Sequence, residues 1–434
     1  MKKLFLFIIV LALTANIFAN GLSLNSIGTK ALGMGGAFIG LADDPSAIYW
    51  NPAGLSGQDN GFNLSLADII PTTTYKYADL GIDAEANLIH ILAPNFFLNY
   101  NLEKLSLGLG VYVPAGLRVE WDGKDLLAFG GPAEIPTQYG NVTNPFAGKK
   151  LEWMSKLGVV DISPALSYQI SDKFSIGLAA NIYYGMLELK RGVDMFTLFN
   201  PESFGVPTMG EDGMIDTQSE VDVTGIGFGG ALGLMYKASD KFNLGLSFRT
   251  PNNIKFEGDG VFDIQNVNKF DVEVDLEYPV WIGGGIAYLP TERFTITADA
   301  QYSQWSSLDI VKVKLMLPDA MGGETEDEMV LNWEDAVQMR LGLEYMATEC
   351  LALRGGFYTD PAPAPDETLT ILFPSGNYSV ITGGAGYFKE KFSVEFSLEY
   401  LIGSERDIDA EEHNMPGVHD IDIFAFSLGF GYKL

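Results

Sequence analysis

The sequence predicts an all-β protein: a transmembrane antiparallel β-barrel of fourteen strands with an N-terminal hatch segment inside the lumen. Three observations support this fold. Apolar and polar residues alternate with a period of two along most of the chain, connections alternate between short and long, and 12% of the 434 residues are aromatic and recur beside the short connections.

The alternation is clearest in four segments, 174–184, 242–249, 294–303 and 392–400. Successive side chains of a strand point to opposite faces, so each segment has one apolar face and one polar or small face. A soluble sandwich with its apolar face inward has the same alternation. The periodic segments run to a dozen residues or more, whereas strands of soluble sheets typically have about 5–6. Their length favours a membrane barrel.

The connections between these segments fall into two classes. Six are short: Glu103-Lys104, 171–173, 239–241, 290–292, 347–349 and 388–391. Seven are long: 71–86, 121–157, 193–219, 250–272, 316–333, 361–376 and 404–420. Thirteen connections join fourteen strands. An even number of strands, with short turns at one end and long loops at the other, is typical of bacterial outer-membrane barrels.

Aromatic residues flank the short turns. Tyr168 and Phe174 bracket one turn, Tyr236 and Phe242 the next, and the pairs Tyr288 with Phe294 and Tyr387 with Phe392 repeat the arrangement. Amphipathic rings favour the headgroup level of a membrane, so this pattern predicts an interfacial girdle. The last strand alternates up to Leu434 and resembles the assembly signal of outer-membrane barrels, although that signal usually ends in Phe. The resemblance implies the barrel-assembly machinery as a partner.

The first nineteen residues predict an export signal. Lys2 and Lys3 precede an apolar run from Leu4 to Leu13, and Ala19 is the expected cleavage position. Ten apolar residues are too few to span a bilayer as a helix, and a basic start followed by a short apolar run is typical of a secretory signal peptide. A buried N-terminal strand is the alternative. Export makes the protein secreted, periplasmic or an outer-membrane barrel.

Composition excludes several functional classes. The formal net charge of −29 argues against a nucleic-acid partner, which requires a basic face. One cysteine and three histidines leave little for a metal site, so neither a metal nor a cofactor is expected. The glycine runs at 225–230 and 283–285 lie within strands with no following helix, which excludes a dinucleotide loop. No paired acids lie in an evident dry cleft, so we expect a protein that is not an enzyme.

Residues 20–60 do not alternate and precede the barrel, which we assign to 61–434. Asp44-Pro45 predicts an N-cap followed by proline at the first helical position, with a short helical turn that ends before Asn51. Fourteen strands enclose a lumen too wide for side chains alone to fill. We therefore predict that this segment plugs the lumen, with a periplasmic tail as the alternative.

The segment GLSLNSIGTKALGMGGAFIGLADDPSAIYWNPAGL resembles the N-terminal hatch of the FadL-like family. The resemblance continues in family order through LGLSFRTPNNIKFEG, YPVWIGGGIAYLPTERFTITADAQYSQWS, EDAVQMRLGLEY, LRGGFYTDPAPAPDE and the final strand. It implies a monomeric outer-membrane transporter of a Gram-negative bacterium that carries long-chain fatty acids or other hydrophobic compounds. The implied hatch and gating residues are Asp43, Asp44, Trp50, Asn51, Pro52 and Gly54.

The family also releases its ligand laterally, beside a kinked strand near the N-terminal end of the barrel. The matching strand here is 105–121, which carries Pro114 and Gly116. Proline lacks a ladder donor and is confined to strand edges and bulges, so a kink is expected at these two positions. We expect passive transport, most of all of long-chain fatty acids. Transport of aromatic hydrocarbons, a general porin and a surface structural or adhesin barrel are the alternatives.

Three arginines lie on the polar, inward face of their predicted strands: Arg249, Arg340 and Arg354. They either bind a fatty-acid carboxylate or hold the hatch through its acids, and we expect Arg354 to pair with Asp43 or Asp44. A structural network with inward acids such as Glu344 or Asp299 is the alternative.

The long loops carry two further signals. Loop 193–219 displays an apolar cluster, for which we expect a docking surface formed by Phe196, Leu198, Phe199 and Phe204. Folding of these side chains back onto the barrel rim explains the cluster equally well. Loops 193–219, 316–333 and 404–420 are rich in Asp and Glu. These acids form either a solvated rim or sites for divalent cations that bridge to lipopolysaccharide.

Overall fold

The computed structural model describes residues 21–25, 27–131, 134–137, 140–143, 147–193, 217–262, 269–317, 323–411 and 413–434. The predicted signal peptide (1–19) and the predicted docking side chains Phe196, Leu198, Phe199 and Phe204 lie outside this part of the chain. Within it, no helix is long and apolar enough to cross a membrane.

The chain is almost entirely β-structure, in antiparallel strands. In chain order they are β1 (Gly61–Tyr77), β2 (Ile82–Glu85), β3 (Ile91–Leu102), β4 (Leu105–Trp121), β5 (Glu134–Thr137), β6 (Gly140–Thr143), β7 (Trp153–Ser171), β8 (Phe174–Val193), β9 (Thr217–Ser239), β10 (Phe242–Arg249), β11 (Asn252–Phe262), β12 (Phe270–Tyr278), β13 (Trp281–Thr291), β14 (Phe294–Ser303), β15 (Ile310–Met316), β16 (Glu324–Val330), β17 (Ala336–Met346), β18 (Leu351–Asp360), β19 (Tyr378–Lys389), β20 (Phe392–Gly403), β21 (Arg406–Ile408) and β22 (Gly417–Lys433).

These strands build a closed barrel of fourteen wall strands, as the sequence predicts. Ten wall strands are continuous, and four consist of two consecutive segments each: β10 with β11, β12 with β13, β14 with β15 and β16 with β17. The barrel closes where β22 pairs with β1, in a ladder that runs from Gly61 opposite Lys433 to Lys76 opposite Val418. This closure pairs the first and last wall strands, so neither presents an open edge to the membrane.

The interrupted strands correct two of the predicted loops. Residues 250–272 and 316–333 are not loops throughout, because β11, the start of β12 and β16 lie within them. β11 pairs with β9 and β12, and β16 pairs with β15. The alternation breaks at Pro251 and Pro279 and resumes beyond them, so the wall extends further than the periodicity of each segment indicates.

The outer face of the wall is apolar. Leu178, Phe228 and Leu246 are 48%, 70% and 57% exposed. Their respective strand neighbours Ala179, Gly227 and Ser247 are buried on the inner face. Outward apolar side chains alternating with inward small or polar ones are typical of strands that face lipid.

All six predicted short turns lie at one end of the barrel, called the short-turn end below, and exposed aromatic rings surround them. Tyr168, Tyr236, Tyr387 and Phe392 are exposed, and the rings of Phe242 and Tyr288 stack with centroids 4.6 Å apart. The opposite end, the long-loop end, carries the long connections with the small additions β2, the hairpin of β5 and β6, and β21.

Residues 21–60 contain two short helices, α1 (Thr29–Gly33) and α2 (Ala47–Trp50), followed by a 3₁₀ turn at Pro52–Leu55. Almost every residue from Ile27 to Leu55 is buried. Residues 27–55 lie inside the barrel in its short-turn half, and the described residues of 21–60 are together called the lumen segment below.

Candidate functional site

The lumen segment is bound to the wall by hydrogen bonds from around the barrel. Irregular backbone carries carbonyls that need donors, and small polar side chains on the inner face provide them. The bonds are Ser397 Oγ to Thr29 O (2.6 Å), Thr382 Oγ1 to Gly33 O (3.1 Å), Gln301 Nε2 to Gly36 O (3.2 Å), Ser175 Oγ to Ala53 O (2.9 Å) and Asn99 Nδ2 to Leu55 O (3.4 Å). In the opposite direction, Asn51 Nδ2 of the segment donates to Leu234 O of β9 (3.0 Å). The inward polar face of the strands therefore serves to seat this segment.

Close approach of the lumen segment to the wall requires glycine. A Cβ on Gly245 of β10 would lie 2.1 Å from the carbonyl oxygen of Ile39, and one on Gly356 of β18 would lie 2.3 Å from the amide nitrogen of Gly35. Gly54 is also required for close packing, within the segment itself, since a Cβ at this position would lie 2.3 Å from the carbonyl oxygen of Ala42.

The predicted hatch residues around α2 form one hydrogen-bonded unit. The helix begins at Ala47 with Ser46 as its N-cap, two residues later than the predicted start at Pro45. Asp44 accepts from the amide of Ser46 (2.8 Å) in the turn before the helix, and the Trp50 indole donates to the oxygen of Ile27 (3.0 Å). Asn51 donates to Ile39 O (3.0 Å) as well as to the wall, and it accepts from the amide of Ala53 (3.2 Å) beside Pro52. Asn51 thus links two turns of the segment to β9.

A cluster of charged side chains joins α1 to β17, β18 and β20. Lys30 Nζ lies 2.9 Å from Asp43 Oδ2 and 3.3 Å from Glu344 Oε1. Arg354 donates to Glu344 Oε2 (2.7 Å) and to Glu395 Oε1 (3.0 Å). Apart from Asp43, all of these side chains are largely buried. We call these five residues the ionic cluster.

The expected pairing of Arg354 with Asp43 or Asp44 is wrong, and the alternative, a structural network with the inward acid Glu344, is the arrangement in the structure. Both of its acidic partners are wall residues, Glu344 one strand back and Glu395 two strands on, because Arg354 lies directly opposite Glu344 in the ladder of β17 and β18. The cation that reaches Asp43 is Lys30, for which the sequence pattern carries no signal. Arg354 reaches the lumen segment through Glu344 and Lys30.

The other two predicted arginines contact the lumen segment directly. Arg340 donates to Gly35 O (2.9 Å) and to Asn25 Oδ1, and its guanidinium lies 4.1 Å from the centre of the Tyr358 ring. Arg249 donates to Tyr49 O (2.6 Å), with its guanidinium between the rings of Tyr49 (3.8 Å) and Trp281 (4.0 Å).

Two titratable groups in the described part of the lumen segment, Asp44 and Lys30, have shifted pKa values. Burial raises the pKa of Asp44 to about 6, and the nearby Glu395 carboxylate adds to the shift, while the bonds from Ser46 oppose it. Burial lowers the pKa of Lys30, but the carboxylates of Asp43 and Glu344 outweigh burial and hold it above its usual value. Lys30 is therefore a permanent cation in the ionic cluster.

The wall is interrupted beside the predicted kink. The ladder of β3 and β4 ends at the pair Phe96 and Val111, and the ladder of β4 and β7 shifts register between Tyr112 and Ala115. This irregularity includes Pro114, as expected for a residue that lacks an amide donor. The N-terminal end of the described chain occupies the edge that β3 leaves free: Leu24 N donates to Pro114 O (2.8 Å), and Gly116 N donates to Leu22 O (3.0 Å).

Two cavities lie towards the long-loop end of the lumen. The wall cavity, about 110 Å³, lies behind this break and is lined by Leu24, Ile69, Ile91, Gly116 and Arg118 among others. The inner cavity, about 70 Å³, has an almost wholly apolar lining that includes Leu187, Phe270, Leu276, Val313 and Met329. Both exceed the space of a single water molecule, about 10–15 Å³ by this measure.

A third, smaller cavity of about 60 Å³ lies beside the irregular part of β4 and is polar. The buried carboxylate of Asp161 accepts from Asn181 Nδ2 (2.7 Å) and Ser163 Oγ (2.9 Å). Arg249 and Asn252 also line this cavity, and Asn252 Oδ1 has no hydrogen-bond partner. Sequence reasoning missed this network because its members lie on four strands, β7, β8, β10 and β11, and the sequence does not show which of their residues meet.

Among the described residues, no group of three or more His, Cys, Asp and Glu side chains could hold a metal ion. His90 pairs with Asp68 (2.8 Å) and His419 contacts Met415 O (2.7 Å), so these two histidines have separate local partners.

Comparison with known proteins agrees with this architecture. A family model described as outer membrane protein transport protein (OMPP1/FadL/TodX) matches residues 10–433. A long-chain fatty acid transport protein of Escherichia coli O6:H1 is 23% identical over 64% of this chain and 67% of its own length. A putative outer membrane protein of Neisseria meningitidis serogroup B is 22% identical over 94% of this chain and 89% of its own.

Solved structures share the fold. A FadL homologue of Pseudomonas aeruginosa superposes with a TM-score of 0.76 at 18% identity, over 95% of this chain and 99% of that one. The toluene transporter TbuX of Ralstonia pickettii gives a TM-score of 0.72 at 20% identity, also over 95% and 99%.

Proposed function

The chain belongs to the OMPP1/FadL/TodX family of outer membrane transport proteins, and from that premise we propose how it carries hydrophobic molecules across the outer membrane of a Gram-negative bacterium. A molecule enters from the long-loop end, occupies the inner cavity and then the wall cavity, and leaves sideways through the break beside β4. No step requires an energy source, since burial of apolar surface at about 25 cal/mol per Å² draws the molecule in.

The observation that carries this proposal is the position of Leu22 and Leu24. Their backbone completes the wall where β3 leaves β4 unpaired, and both side chains line the wall cavity. Removing these residues from the edge of β4 opens a path from the cavity towards lipid. This movement breaks two backbone hydrogen bonds, Leu24 N to Pro114 O and Gly116 N to Leu22 O. Each contributes only about 0.5–1.5 kcal/mol net, so movement of this strand end is energetically accessible.

The rest of the lumen segment acts as the hatch. We divide the chain into a signal peptide (1–19), a hatch (20–60) and a barrel (61–434), because the wall ladder begins at Gly61 and the preceding described residues pack inside it. Asp43, Asp44, Trp50, Asn51, Pro52 and Gly54 keep the hatch seated and block the path to the short-turn end, which faces the periplasm in outer-membrane barrels.

Two cargo classes are proposed, long-chain fatty acids and uncharged hydrocarbons. The sequence favours fatty acids, and a relative carries that name. The charges around the cavities favour the uncharged class. Two arginines and three acids line the wall and inner cavities, and Arg191 lies 3.5 Å from Asp327. Arg118 Nε is buried without a partner, so it is the atom on which a carboxylate would depend.

The finer features of the transporter remain part of the proposal. Capture at the apolar residues of loop 193–219, contact of the acidic loops with lipopolysaccharide, assembly by the barrel-assembly machinery and a monomeric state all follow from the sequence pattern and the family resemblance.

Uptake in a transport-deficient strain tests both the path and the cargo. Cells expressing the wild type receive labelled toluene or labelled oleate, with empty vector and Arg118→Gln as controls. We expect toluene uptake above empty vector and little dependence on Arg118. Oleate uptake that exceeds toluene uptake and falls in Arg118→Gln would instead identify fatty acids as the cargo. Uptake of neither, with the barrel folded on heat-modifiable gels, would contradict transport.

A further inference from the structure

Three side chains face the inner cavity and the wall cavity at the same time. Leu22, Trp333 and Phe373 are the members common to the linings of both, among the residues that the structure describes. They come from three separate places in the chain: the start of the lumen segment, the connection between β16 and β17, and the connection between β18 and β19. Together they form the partition between the two cavities, called the apolar partition below.

The backbone before Trp333 has an unusual conformation that positions the indole in the apolar partition. Asn332 has a φ of +46°, a left-handed conformation that Asn tolerates better than most residues. The amides of Leu331 and Asn332 both donate to Asp309 O (2.8 and 2.9 Å), and Trp333 N donates to Leu308 O (3.2 Å). Trp333 is 5% exposed and packs edge-on against Trp305, with centroids 5.3 Å apart.

Phe373 is held less firmly. Its amide donates to Thr370 Oγ1 (3.3 Å) within the same connection, and its side chain is only half-buried. Its neighbour Leu372 is 5% exposed and belongs to an apolar cluster with Trp121 and Trp153, against which Phe373 also packs. Leu372 lines neither cavity. The partition thus combines the buried indole of Trp333 with Leu22, which lies on the edge of β4, and the half-buried Phe373.

We propose that the apolar partition is the selectivity barrier of the transport path, with Trp333 and Phe373 setting the width of molecule that passes from the inner cavity to the wall cavity. This inference rests on the proposed function. Uncharged molecules cross it by displacing the Leu22 and Phe373 side chains past a stationary Trp333. A wider molecule displaces more of the tightly packed contacts and crosses more slowly.

Uptake rates of two uncharged aromatic solutes of different width test this barrier. Cells expressing wild type, Trp333→Ala, Phe373→Ala or Leu372→Ala receive labelled toluene or labelled naphthalene. Leu372→Ala is the matched control, because it removes a buried side chain of the same connection that lines neither cavity. Barrel folding is checked in each strain by heat-modifiable migration.

We expect Phe373→Ala and Trp333→Ala to raise the naphthalene-to-toluene uptake ratio about tenfold, the effect of lowering one barrier by about 1.4 kcal/mol, and Leu372→Ala to leave the ratio unchanged. An unchanged ratio in Phe373→Ala, with wild-type uptake intact, would overturn the partition while leaving transport standing. A ratio raised equally by Leu372→Ala would overturn it too. Absence of uptake by folded wild type would overturn the proposed function and with it this barrier.

Discussion

The two halves of the lumen differ in chemistry. Towards the short-turn end, the lumen segment lines a cavity of about 660 Å³, whose lining includes Lys30, Asp43 and Asp44. The segment is held there by hydrogen bonds to many wall strands and by the ionic cluster. Towards the long-loop end, the inner and wall cavities are lined mainly by aliphatic and aromatic side chains.

This difference in chemistry suits the two halves to two tasks, closure of the barrel and passage of the cargo. Directional polar contacts specify one position for the lumen segment, because each broken bond leaves a buried donor or acceptor unpaired. Apolar contacts between cavity walls and a molecule have little directional preference, so they suit a path that binds and releases. We infer that the short-turn half closes the barrel and that the long-loop half carries the cargo. The predictions below test this division.

Removing the central cation of the ionic cluster has the largest expected effect. Arg354→Ala leaves Glu344 and Glu395 buried, with Lys30 as the remaining basic partner of Glu344. Breaking a buried ion pair by deleting one partner costs about 3–5 kcal/mol. We expect unfolding at lower temperature and a higher ion conductance in planar bilayers, since the lumen segment loses its seat.

The matched control is Lys76→Ala, which breaks the exposed pair of Lys76 and Asp83 at the long-loop end (3.4 Å). Exposed pairs contribute about 0–1 kcal/mol, so little change is expected. Equal effects of the two substitutions would show that the ionic cluster has no special role in closure.

Adding a side chain where the wall contacts the lumen segment has the next largest expected effect. Gly245→Ala places a Cβ 2.1 Å from Ile39 O, so the segment must shift. Overpacking of this kind costs about 1–3 kcal/mol. We expect a raised ion leak measured in planar bilayers, with the barrel still heat-modifiable.

Gly284→Ala is the control for that experiment. Its Cβ would meet Leu246 Cδ2 at 3.4 Å, an ordinary contact that does not involve the lumen segment. A leak of the same size from Gly284→Ala would mean that loss of a wall glycine, rather than displacement of Ile39, opens the barrel.

The smallest expected effect is that of pH on the stability that Asp44 of the lumen segment contributes. The pKa of Asp44 is raised to about 6, so the folded protein binds its proton more tightly than the unfolded chain does. Stability contributed by this group therefore falls as pH rises from about 4 to 6 and is regained as pH is lowered through 6. Because this carboxyl is partly exposed, we expect the free energy of unfolding to change by about 1 kcal/mol. One pKa unit corresponds to about 1.4 kcal/mol.

Thermal unfolding in detergent between pH 7.5 and pH 5 measures this effect. Wild type should gain stability relative to Asp44→Asn as pH is lowered, because the amide keeps an acceptor for Ser46 and does not titrate. A constant difference between the two proteins over this range would exclude Asp44 as the responsible group.

The sequence predicts the wall far better than the site. Alternation in segments such as Phe174–Tyr184 fixes which face meets lipid, and Asp44, Trp50 and Asn51 stand out through the turn chemistry of the lumen segment. The partners of Arg354 depend on strand register, which places Glu344 directly opposite it. The short turn between β17 and β18 sets that register, so Glu344 was within reach of sequence reasoning. Glu395 lies two strands on and has no local relation to Arg354 in the sequence.

The cavities were beyond prediction for a similar reason. Trp333 and Phe373 lie in stretches that the sequence indicates only as loops, and the left-handed conformation of Asn332 leaves no pattern. Residues that meet from three distant connections are recognisable only once the fold brings them together. The Pro114 irregularity was predictable, because proline has one local effect on any ladder.

The central claim is that the strand end at Leu22–Leu24 leaves the edge of β4 when cargo exits through the wall. Ser23 and Ala115 face each other across this contact, so Ser23→Cys with Ala115→Cys, in a Cys350→Ser background, gives a disulfide that can lock it. Thr74→Cys with Glu85→Cys, which links β1 to β2, is the control pair. We predict that oxidation abolishes toluene uptake only in the first protein and that reduction restores it. Full uptake with the Ser23–Ala115 pair locked would contradict lateral exit at this break.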